Sequence, residues 1–268
     1  MRKLLHLSDL HFGRVDLALV EPIIQLAHQL APDLVVVSGD FTQRARRVQF
    51  QEARAFLDRL PEPRLVVPGN HDIPLWDVYR RFVSPLGRYR RYITRDLAPF
   101  FHDEEIAVLG INTARSLTRK YGRINAQQIA HAREVFADVE EQIVKVVVTH
   151  HPFDLPPGTH HHLVGRSAMA MKGLAAAGVD LILSGHLHLQ HTGLTATRYH
   201  IEGYSALIAQ TGTTTSTRGR GESNSFNLIQ LETNQIMIQP YLWQAAQGAF
   251  VASPSQRFVR AGSGWARA

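Results

Sequence analysis

Short apolar runs, each followed by a cluster of polar side chains, recur along the chain and predict its strands. The runs are three to five residues long and apolar on both faces. Because half-exposed strands alternate between apolar and polar residues, continuous short runs are typical of a sheet that is covered on both sides. The predicted strands cover residues 4–7, 34–37, 65–67, 107–111, 144–148 and 181–183.

Apolar positions recur at helical spacing between several of these runs. Residues 226–231 and 235–241 instead resemble strands, and they predict a second, antiparallel sheet that closes the fold. Strands that alternate with helices predict a layered α/β or α+β sandwich. The predicted helices cover residues 16–30, 48–60 and 125–139, the last with Asn125 as a candidate N-cap.

Chain length and local composition predict the domain organisation. With 268 residues, 44% of them hydrophobic, the chain is long enough for one domain with a sizeable core, and we expect that domain to cover residues 1–250. Residues 73–101, rich in Arg, Tyr and Phe and interrupted by prolines, predict an insertion or cap beside a binding site. The last segment, 251–268, combines Pro254 and two glycines with scattered arginines and is expected to be irregular.

Composition narrows the chemistry. The chain contains no cysteine, which excludes disulfides, thiolate metal sites and cysteine nucleophiles, so any metal would be held by nitrogen and oxygen atoms. The net charge of +6 favours anionic partners without selecting among nucleotides, nucleic acid and lipid head groups. Arginines concentrate in residues 80–95, which fits either an anion-facing surface or a solvated helix face.

The apolar segments are short. The N-terminal run is interrupted by His6, Ser8 and Asp9, too early for a signal peptide, and no stretch approaches the roughly 20 apolar residues of a membrane-spanning helix. We therefore expect a cytoplasmic protein, with peripheral contact to a membrane left open. The C-terminal strands also leave open a homodimer in which they pair between subunits.

Five of the apolar runs end in residues that can bind metal ions. In an open α/β sheet, the loops at the carboxyl ends of the strands converge on one crevice, so these distant segments are expected to meet. Carboxylate, imidazole and amide oxygen together suit divalent cations, and a carboxylate can bridge two ions about 3.5–4 Å apart. The candidates are Asp9, His11, Asp40, Asn70, His150, His186 and His188.

Local spacing supports this grouping. In Asp9-Leu10-His11 and His186-Leu187-His188 the candidates are two residues apart, so on extended segments their side chains would point the same way, with Leu10 and Leu187 facing the core. Glycines precede Asp40, Asn70 and His186, as expected where the backbone must turn sharply or approach a ligand. A single His or a Gly-Asn-His-Asp turn alone would be weak evidence for a metal site. All five clusters together, each at the end of a predicted strand, predict one.

The five motifs together resemble the signature of the calcineurin-like metallophosphoesterase superfamily, in its order. The longer contexts Ser8-Asp9-Leu10-His11-Phe12-Gly13 and Gly39-Asp40-Phe41-Thr42-Gln43 resemble its bacterial class III 3′,5′-cyclic-nucleotide phosphodiesterase branch. The motifs are Asp9-Leu10-His11, Gly39-Asp40, Gly69-Asn70-His71-Asp72, Thr149-His150-His151 and Gly185-His186-Leu187-His188.

The resemblance implies a fold and a metal centre. The fold would be a four-layer double β-sandwich flanked by helices. One metal would be bound by Asp9, His11, Asp40 and His188, and the other by Asp40, Asn70, His150 and His186, with Asp40 bridging. The two ions would be divalent or of mixed valence, and manganese, iron, zinc and cobalt remain open because such sites accept all of them.

The resemblance also implies a reaction. A hydroxide that bridges the two metals would attack the phosphorus of a small anionic phosphodiester such as cyclic AMP, without an obligate nucleic-acid partner. His71 would donate a hydrogen bond or proton near the leaving oxygen, and Asp72 would orient the His71 ring. Arg44, Asn112 and Arg115 are candidates to bind the substrate, although each arginine could equally be an ordinary surface residue.

Several functions remain open at this point. A pyrophosphatase acting on a nucleotide-sugar lipid of the UDP-diacylglucosamine type would suit the basic, aromatic insertion, and a nuclease would suit the net positive charge of +6. A broad-specificity phosphoesterase is a further alternative. A metal-free binding scaffold would require replaced ligands, and none is replaced. The roles of the insertion and of His160-His161-His162, which fits a solvated loop better than a metal site, are also open.

Overall fold

The computed structural model describes residues 1–268 with the exception of His160 and Arg220. All six predicted strands are confirmed, as β1, β2, β3, β5, β6 and β7. The first seven strands are β1 Arg2–Leu7, β2 Leu34–Ser38, β3 Arg64–Val67, β4 Phe100–His102, β5 Ile106–Gly110, β6 Val144–Val148 and β7 Leu181–Ser184. The remaining strands are β8 His191–Leu194, β9 Leu207–Gln210, β10 Ser225–Glu232, β11 Gln235–Gln244, β12 Ala249–Ala252, β13 Gln256–Ala261 and β14 Gly264–Arg267.

The three predicted helices are also confirmed, as α1, α2 and α5. Asp16 accepts a hydrogen bond from Ala18 N at the start of α1, and Asn125 caps α5 by accepting one from Gln128 N. The alanine-rich α6 lacks a clear apolar stripe and was not predicted. The helices are α1 Leu17–Leu30, α2 Arg47–Leu57, α3 Val78–Val83, α4 Gly87–Tyr92, α5 Ala126–Ala137 and α6 Ser167–Ala176.

The strands form two sheets. The first has the order β14-β13-β11-β10-β1-β2-β3, with β12 also paired to β11, and the second has the order β4-β5-β6-β7-β9-β8. Strands β1, β2 and β3 run parallel to one another, as do β5, β6, β7 and β9. Parallel strands of this kind bring their carboxyl ends to one edge of each sheet.

Three apolar clusters define four layers. One cluster fills the space between the two sheets and includes Val36, Val108 and Val146. A second packs α1 and α2 on the outer face of the first sheet, and a third packs α5 and α6 on the outer face of the second. The predicted double sandwich flanked by helices is confirmed.

Two predictions about the C-terminal part are wrong. Strands β10 and β11 do not form a separate sheet, because β10 pairs antiparallel with the open edge of β1, with Leu4 opposite Ile229. The tail is not irregular either: β13 and β14 form a hairpin, and Phe258 and Trp265 are buried between the sheets. The two glycines in this segment belong to the hairpin, with Gly262 at φ 60° in its turn.

The segment 73–101 contains the short helices α3 and α4 and lies against the first sheet, where Tyr89 is fully buried. Within the described part of the chain, no helix is long and apolar enough to cross a membrane.

Candidate metal centre

The seven candidate ligands converge at the carboxyl ends of β1, β2, β3, β6 and β7. Each of the seven is buried, with at most 9% of its surface exposed. The histidine and aspartate side chains form overlapping groups of three whose potential ligand atoms all lie within 4.8 Å of one another. These groups are Asp9, His11 and His188; Asp9, Asp40 and His150; His11, Asp40 and His71; and His150, His151 and His186.

The first set of ligands surrounds Asp9 Oδ1. This oxygen lies 3.1 Å from His188 Nε2 and 3.5 Å from His11 Nε2. The two imidazole nitrogens are 3.1 Å apart, and Asp40 Oδ2 is 3.7 Å from His11 Nε2.

The second set surrounds His150 Nε2. This nitrogen lies 3.2 Å from Asn70 Oδ1, 3.2 Å from His186 Nδ1 and 3.4 Å from Asp40 Oδ2. Asp40 Oδ2 is therefore close to both sets, which is the position a bridging carboxylate requires.

The donor set fits two metal ions. Ligand atoms bound about 2.1 Å from one ion lie about 3.0–3.4 Å from each other in octahedral or tetrahedral geometry, close to the spacing within each set. Among the described residues Asp9 Oδ1 has no hydrogen-bond partner although it is buried, which would be costly for a carboxylate oxygen that bound no cation. The four histidines and two carboxylates here provide the nitrogen and oxygen ligands that borderline and hard divalent ions prefer.

Hydrogen bonds outside the two sets fix how the ligands face inward. His150 Nδ1 lies 2.8 Å from Ser38 O, and His188 Nδ1 lies 2.9 Å from Arg218 O. Because a carbonyl oxygen can only accept, each Nδ1 carries a proton, and each Nε2 is the ring atom that faces the site and would bind a metal.

The two carboxylates are held in a similar way. Asp9 Oδ2 accepts from Ser8 Oγ and His186 N, and Asp40 Oδ1 accepts from His71 N at 2.8 Å. In each case one oxygen is fixed by protein donors and the other faces the site.

The ligand backbone is strained. Five candidate ligands have φ between 51° and 71°, the left-handed region that residues other than glycine rarely adopt. Such conformations cost on the order of 1 kcal/mol or more each and persist where the surrounding structure enforces them, commonly at functional sites. The five residues are Asp9, His11, Asp40, His186 and His188.

This backbone corrects the expectation of extended segments. Asp9 and His11 do not continue β1; the chain turns after Leu7, and hydrogen bonds from Asp9 N to Gly39 O and from His11 N to Asp40 O hold the turn. Left-handed residues on either side of Leu10 still direct both ligands to the site and bury Leu10 completely, and the same arrangement surrounds Leu187.

The glycines before three ligands are required by close packing. A Cβ atom at Gly185 would overlap Ser8 Oγ and Asp9 Oδ2, and one at Gly69 would overlap the Asp40 carboxylate. Gly39 combines a φ of 95° with contact to the His150 ring. The predicted close approach of backbone to ligand is confirmed at all three glycines.

Burial and mutual charge set the protonation states. Burial lowers the pKa of His11 to about 4 and that of His186 far below its usual value, so both rings are neutral at pH 7. Burial alone would raise the pKa of Asp40, but the neighbouring His150 outweighs it and holds that pKa well below its usual range. Burial likewise acts to lower the pKa of His150, yet Asp40 raises it to about 9. At pH 7 His150 is therefore protonated, and its ring would release the Nε2 proton on binding a metal, whereas the His11 and His186 rings are already neutral.

His71 lies at the rim of the site. Its ring is in edge contact with that of His11, with centroids 4.9 Å apart. Nδ1 donates to Gln43 O at 2.9 Å, and Nε2 lies 3.0 Å from Arg218 Nη1. Since the guanidinium can only donate, Nε2 carries a lone pair in this arrangement.

The structure corrects the expected role of Asp72, whose carboxylate makes no hydrogen bond to the His71 ring. It instead accepts from Gly69 N at 2.9 Å, Phe41 N at 3.3 Å and Thr42 N at 3.0 Å. The adjacent 3₁₀ turn, Asn70–Asp72, directs this carboxylate back towards the loop after β2. Asp72 thus ties together the two loops that carry Asp40 and Asn70, and the backbone carbonyl of Gln43 orients His71.

A narrow cleft next to the metal centre is lined by arginines. Of the predicted substrate residues, Arg44 lines this cleft, together with His71 and Arg119. Asn112 and Arg115 do not: they line a separate hollow with Arg123 and Arg166, and Asn112 Oδ1 accepts from Ala114 N.

Arg218 and Arg119 were missed from the sequence. Arg218 follows a run of seven Thr, Gly and Ser residues that carries no charge and no strand pattern. The signal available in the sequence was that Arg218 follows a loop-like run, and the candidate ligands of this chain also lie in loops.

The remaining histidines near the site have structural partners. His151 Nδ1 accepts from Thr113 Oγ1 at 2.8 Å and Nε2 donates to Lys120 O at 3.1 Å. The His162 ring makes an edge contact with the Tyr121 ring. His161 Nδ1 lies 3.5 Å from Lys120 Nζ, and His160 lies outside the described residues.

Two known phosphodiesterases are similar to this chain over short stretches of sequence, and solved structures are similar to it in fold. Over 80 residues the chain is 39% identical to the glycerophosphodiester phosphodiesterase GpdQ of Enterobacter lignolyticus (strain SCF1), a match that covers 26% of this chain and 29% of that protein. Over 76 residues it is 36% identical to the phosphodiesterase YaeI of Escherichia coli (strain K12), covering 27% of this chain and 28% of that protein. The matched stretches thus span less than a third of either relative.

The fold is similar to that of purple acid phosphatase PPD1 from yellow lupin (Lupinus luteus) seeds, with a TM-score of 0.71 at 12% identity. That likeness covers 95% of this chain and 53% of the lupin chain. Residues 2–190, which hold all seven candidate ligands, match the family model described as Calcineurin-like phosphoesterase. The chain belongs to the calcineurin-like phosphoesterase family.

Proposed function

We propose that this chain is a dinuclear metal-dependent phosphodiesterase that hydrolyses small nucleotide diesters such as 3′,5′-cyclic AMP. The observation that carries the proposal is the placement of Asp40 Oδ2, 3.4 Å from His150 Nε2 and 3.7 Å from His11 Nε2, between two complete ligand sets. One ion would be bound by Asp9, His11, Asp40 and His188, and the other by Asp40, Asn70, His150 and His186. Two divalent ions bound there would activate water as the nucleophile and neutralise charge on the phosphoryl oxygens.

The protein's own groups would position the diester. Arg218 Nη1 lies next to the His71 ring at the mouth of the centre, and a guanidinium is suited to bind phosphate oxygens. On substrate binding, Arg218 would exchange its contact with His71 for a phosphate oxygen. His71 Nε2, released from Arg218, would then take up a proton from solvent and donate it to the leaving oxygen as the P–O bond breaks.

The shape and charge of the cleft suit a small anionic substrate. Arg44 and Arg119 line it together with His71, and no acidic residue is among its lining residues in the described part of the chain. Both curated relatives are phosphodiesterases, which favours diesters over monoesters. The residues around Asp9 and Asp40 resemble the bacterial class III cyclic-nucleotide phosphodiesterases. This resemblance favours cyclic nucleotides among the diesters.

A second candidate is a glycerophosphodiester, favoured by the 39% identical stretch shared with GpdQ. Its phosphodiester would use the same metal centre, so the two candidates differ only in what the cleft accepts beside the phosphate.

Turnover by metal-reconstituted protein tests the proposal. The panel comprises 3′,5′-cyclic AMP, 3′,5′-cyclic GMP, a linear dinucleotide, a glycerophosphodiester, UDP-diacylglucosamine, single-stranded DNA and bis(4-nitrophenyl) phosphate. We expect the highest kcat/KM on a cyclic nucleotide and no turnover by Asp40→Ala on any substrate. Turnover of only the aryl diester would refute the cyclic-nucleotide assignment and leave the phosphodiesterase, whereas no turnover of any diester with two metals bound would refute both.

A further inference from the structure

The apolar side chains of helix α3 face outward. Tyr79 is 74% exposed and Phe82 56%, while Val78 and Val83 beside them are more than 60% exposed. These four residues occupy one side of α3, since positions three and four residues apart share a helix face. Trp76, just before the helix, is 76% exposed.

One of the two arginines of α3 faces inward, whereas the other, Arg80, is exposed. Arg81 is only 7% exposed, and its guanidinium donates to Pro74 O and Thr118 O. A surface helix normally buries its apolar stripe and exposes its charges. On α3 the four apolar side chains are exposed and Arg81 is buried, so the exposed face is not the ordinary scatter of single apolar residues found on soluble proteins.

A neighbouring loop extends the apolar face. Arg81 is hydrogen-bonded to Thr118 in this loop, and Leu117, which is 74% exposed, lines a hollow together with Val83 and Arg90. We call the six residues the α3 patch: Trp76, Val78, Tyr79, Phe82, Val83 and Leu117.

Positive charge surrounds the α3 patch. The segment 73–101 contains six arginines and two aspartates, one of which, Asp77, is paired with Arg80. The adjacent loop adds Arg115, Arg119 and Lys120 without an acidic residue. A second copy of the chain would bring two such positively charged rims together across a two-fold axis, so this charge disfavours self-association through the patch.

We propose that the α3 patch is a docking surface for an anionic lipid bilayer. Trp and Tyr side chains prefer the boundary between lipid head groups and acyl chains, and flanking arginines are attracted to anionic head groups. The patch provides both, with the apolar side chains at its centre and the basic residues around it. Arg81, on the inward side of α3, lines the same cleft as His71, so docking would place the mouth of the metal centre beside the lipid surface.

Sedimentation with vesicles tests this proposal on the metal-loaded protein. The probes are vesicles of phosphatidylcholine alone and vesicles containing about one third phosphatidylglycerol. We expect co-sedimentation with the anionic vesicles that weakens as salt is added. In Trp76→Ser/Phe82→Ser the partition coefficient should fall at least tenfold, because insertion of one large apolar side chain is worth about a factor of ten or more.

Two controls separate docking from other effects. Leu17 is 81% exposed but lies on α1, outside the α3 patch. Leu17→Ser should therefore bind vesicles like the wild type. Arg90→Glu should weaken binding to anionic vesicles only. Both variants and Trp76→Ser/Phe82→Ser should keep the wild-type melting temperature and the turnover of a soluble aryl diester, since none of these side chains contacts the metal centre.

The following results would overturn the proposal. Wild-type protein that remains in the supernatant with both vesicle types does not dock on bilayers. Equal loss of binding in Leu17→Ser would indicate nonspecific adsorption. Dimerisation in analytical ultracentrifugation that Trp76→Ser/Phe82→Ser abolishes, without vesicle binding by the wild type, would assign the patch to a second copy of the chain.

Discussion

Replacement of Arg218 by alanine tests whether a residue outside the recognised motifs binds the substrate phosphate. In the structure the Arg218 guanidinium contacts the rim of the centre, with Nη1 3.0 Å from His71 Nε2 and 3.4 Å from Gln43 Oε1. Its backbone carbonyl, which orients His188, is retained in Arg218→Ala. The variant should therefore keep both metals and its melting temperature.

The expected loss follows from the bond that the guanidinium would make. A hydrogen bond to a charged group contributes about 1.5–3 kcal/mol, which corresponds to a loss of about 10- to 150-fold in kcat/KM. Arg218→Lys keeps the charge but loses the two-pronged geometry and should be intermediate, with most of its loss in KM.

Steady-state kinetics on a cyclic nucleotide and on bis(4-nitrophenyl) phosphate provide the measurement. Arg47→Ala is the matched control, because Arg47 is an exposed residue of α2 and its loss changes the net charge equally. Unchanged kcat/KM in Arg218→Ala, or an equal loss in Arg47→Ala, would refute the assigned contact. Loss of metal from Arg218→Ala would show that its side chain acts on the structure of the site.

Three further predictions follow from the geometry. His71→Ala should keep two metals and lower kcat by about 10²- to 10⁴-fold on an alkoxide-leaving diester, but less with a 4-nitrophenolate leaving group, which needs no proton. Gly185→Ala should lose metal and activity because its Cβ would overlap Asp9 Oδ2, whereas Gly248→Ala, in open space, should keep both; equal metal content would contradict this. Burial lowers the pKa of His6 to about 3, so the folded-state value lies below the unfolded one and stability is lost as pH falls below about 6.5. Urea unfolding at pH 7 and pH 5 should show that His6→Gln loses about 2 kcal/mol less than the wild type over this interval, and an equal loss would refute the reasoning.

The sequence predicted the layers and the clustering of the seven candidate ligands, because both depend on local signals. Continuous apolar runs such as the one in β2 identify buried strands, and a candidate ligand shortly after a strand, such as His150 after β6, identifies the edge of the sheet where the site lies. The order of the five motifs then identifies the seven candidate ligands as one group.

The features that were not predicted depend on long-range packing. The left-handed backbone at Asp9 and His11 is enforced by hydrogen bonds to the loop after β2, 30 residues away in sequence for Asp9 and Gly39. Asp72 was expected at the His71 ring, yet three backbone N–H groups from two loops hold it elsewhere. The C-terminal hairpin is ordered because Phe258 and Trp265 fill the space between the sheets, which the glycines and arginines of that segment do not indicate.

Arg218 illustrates the same limit at the site itself. It is 147 residues from His71 in sequence, and only the tertiary fold places its guanidinium against that ring. Spacing rules identify ligands that share a strand end, but they do not reach side chains supplied by a distant loop.

Metal content per chain tests the dinuclear centre most directly. Wild-type protein, Asp40→Ala and the exposed-surface control Asp138→Ala would be reconstituted with manganese, desalted and analysed by inductively coupled plasma mass spectrometry. Because Asp40 Oδ2 faces both ligand sets, we expect two ions per chain in the wild type and in Asp138→Ala, and at most one in Asp40→Ala. One ion or none in the wild type, or two in Asp40→Ala, would contradict a centre bridged by Asp40.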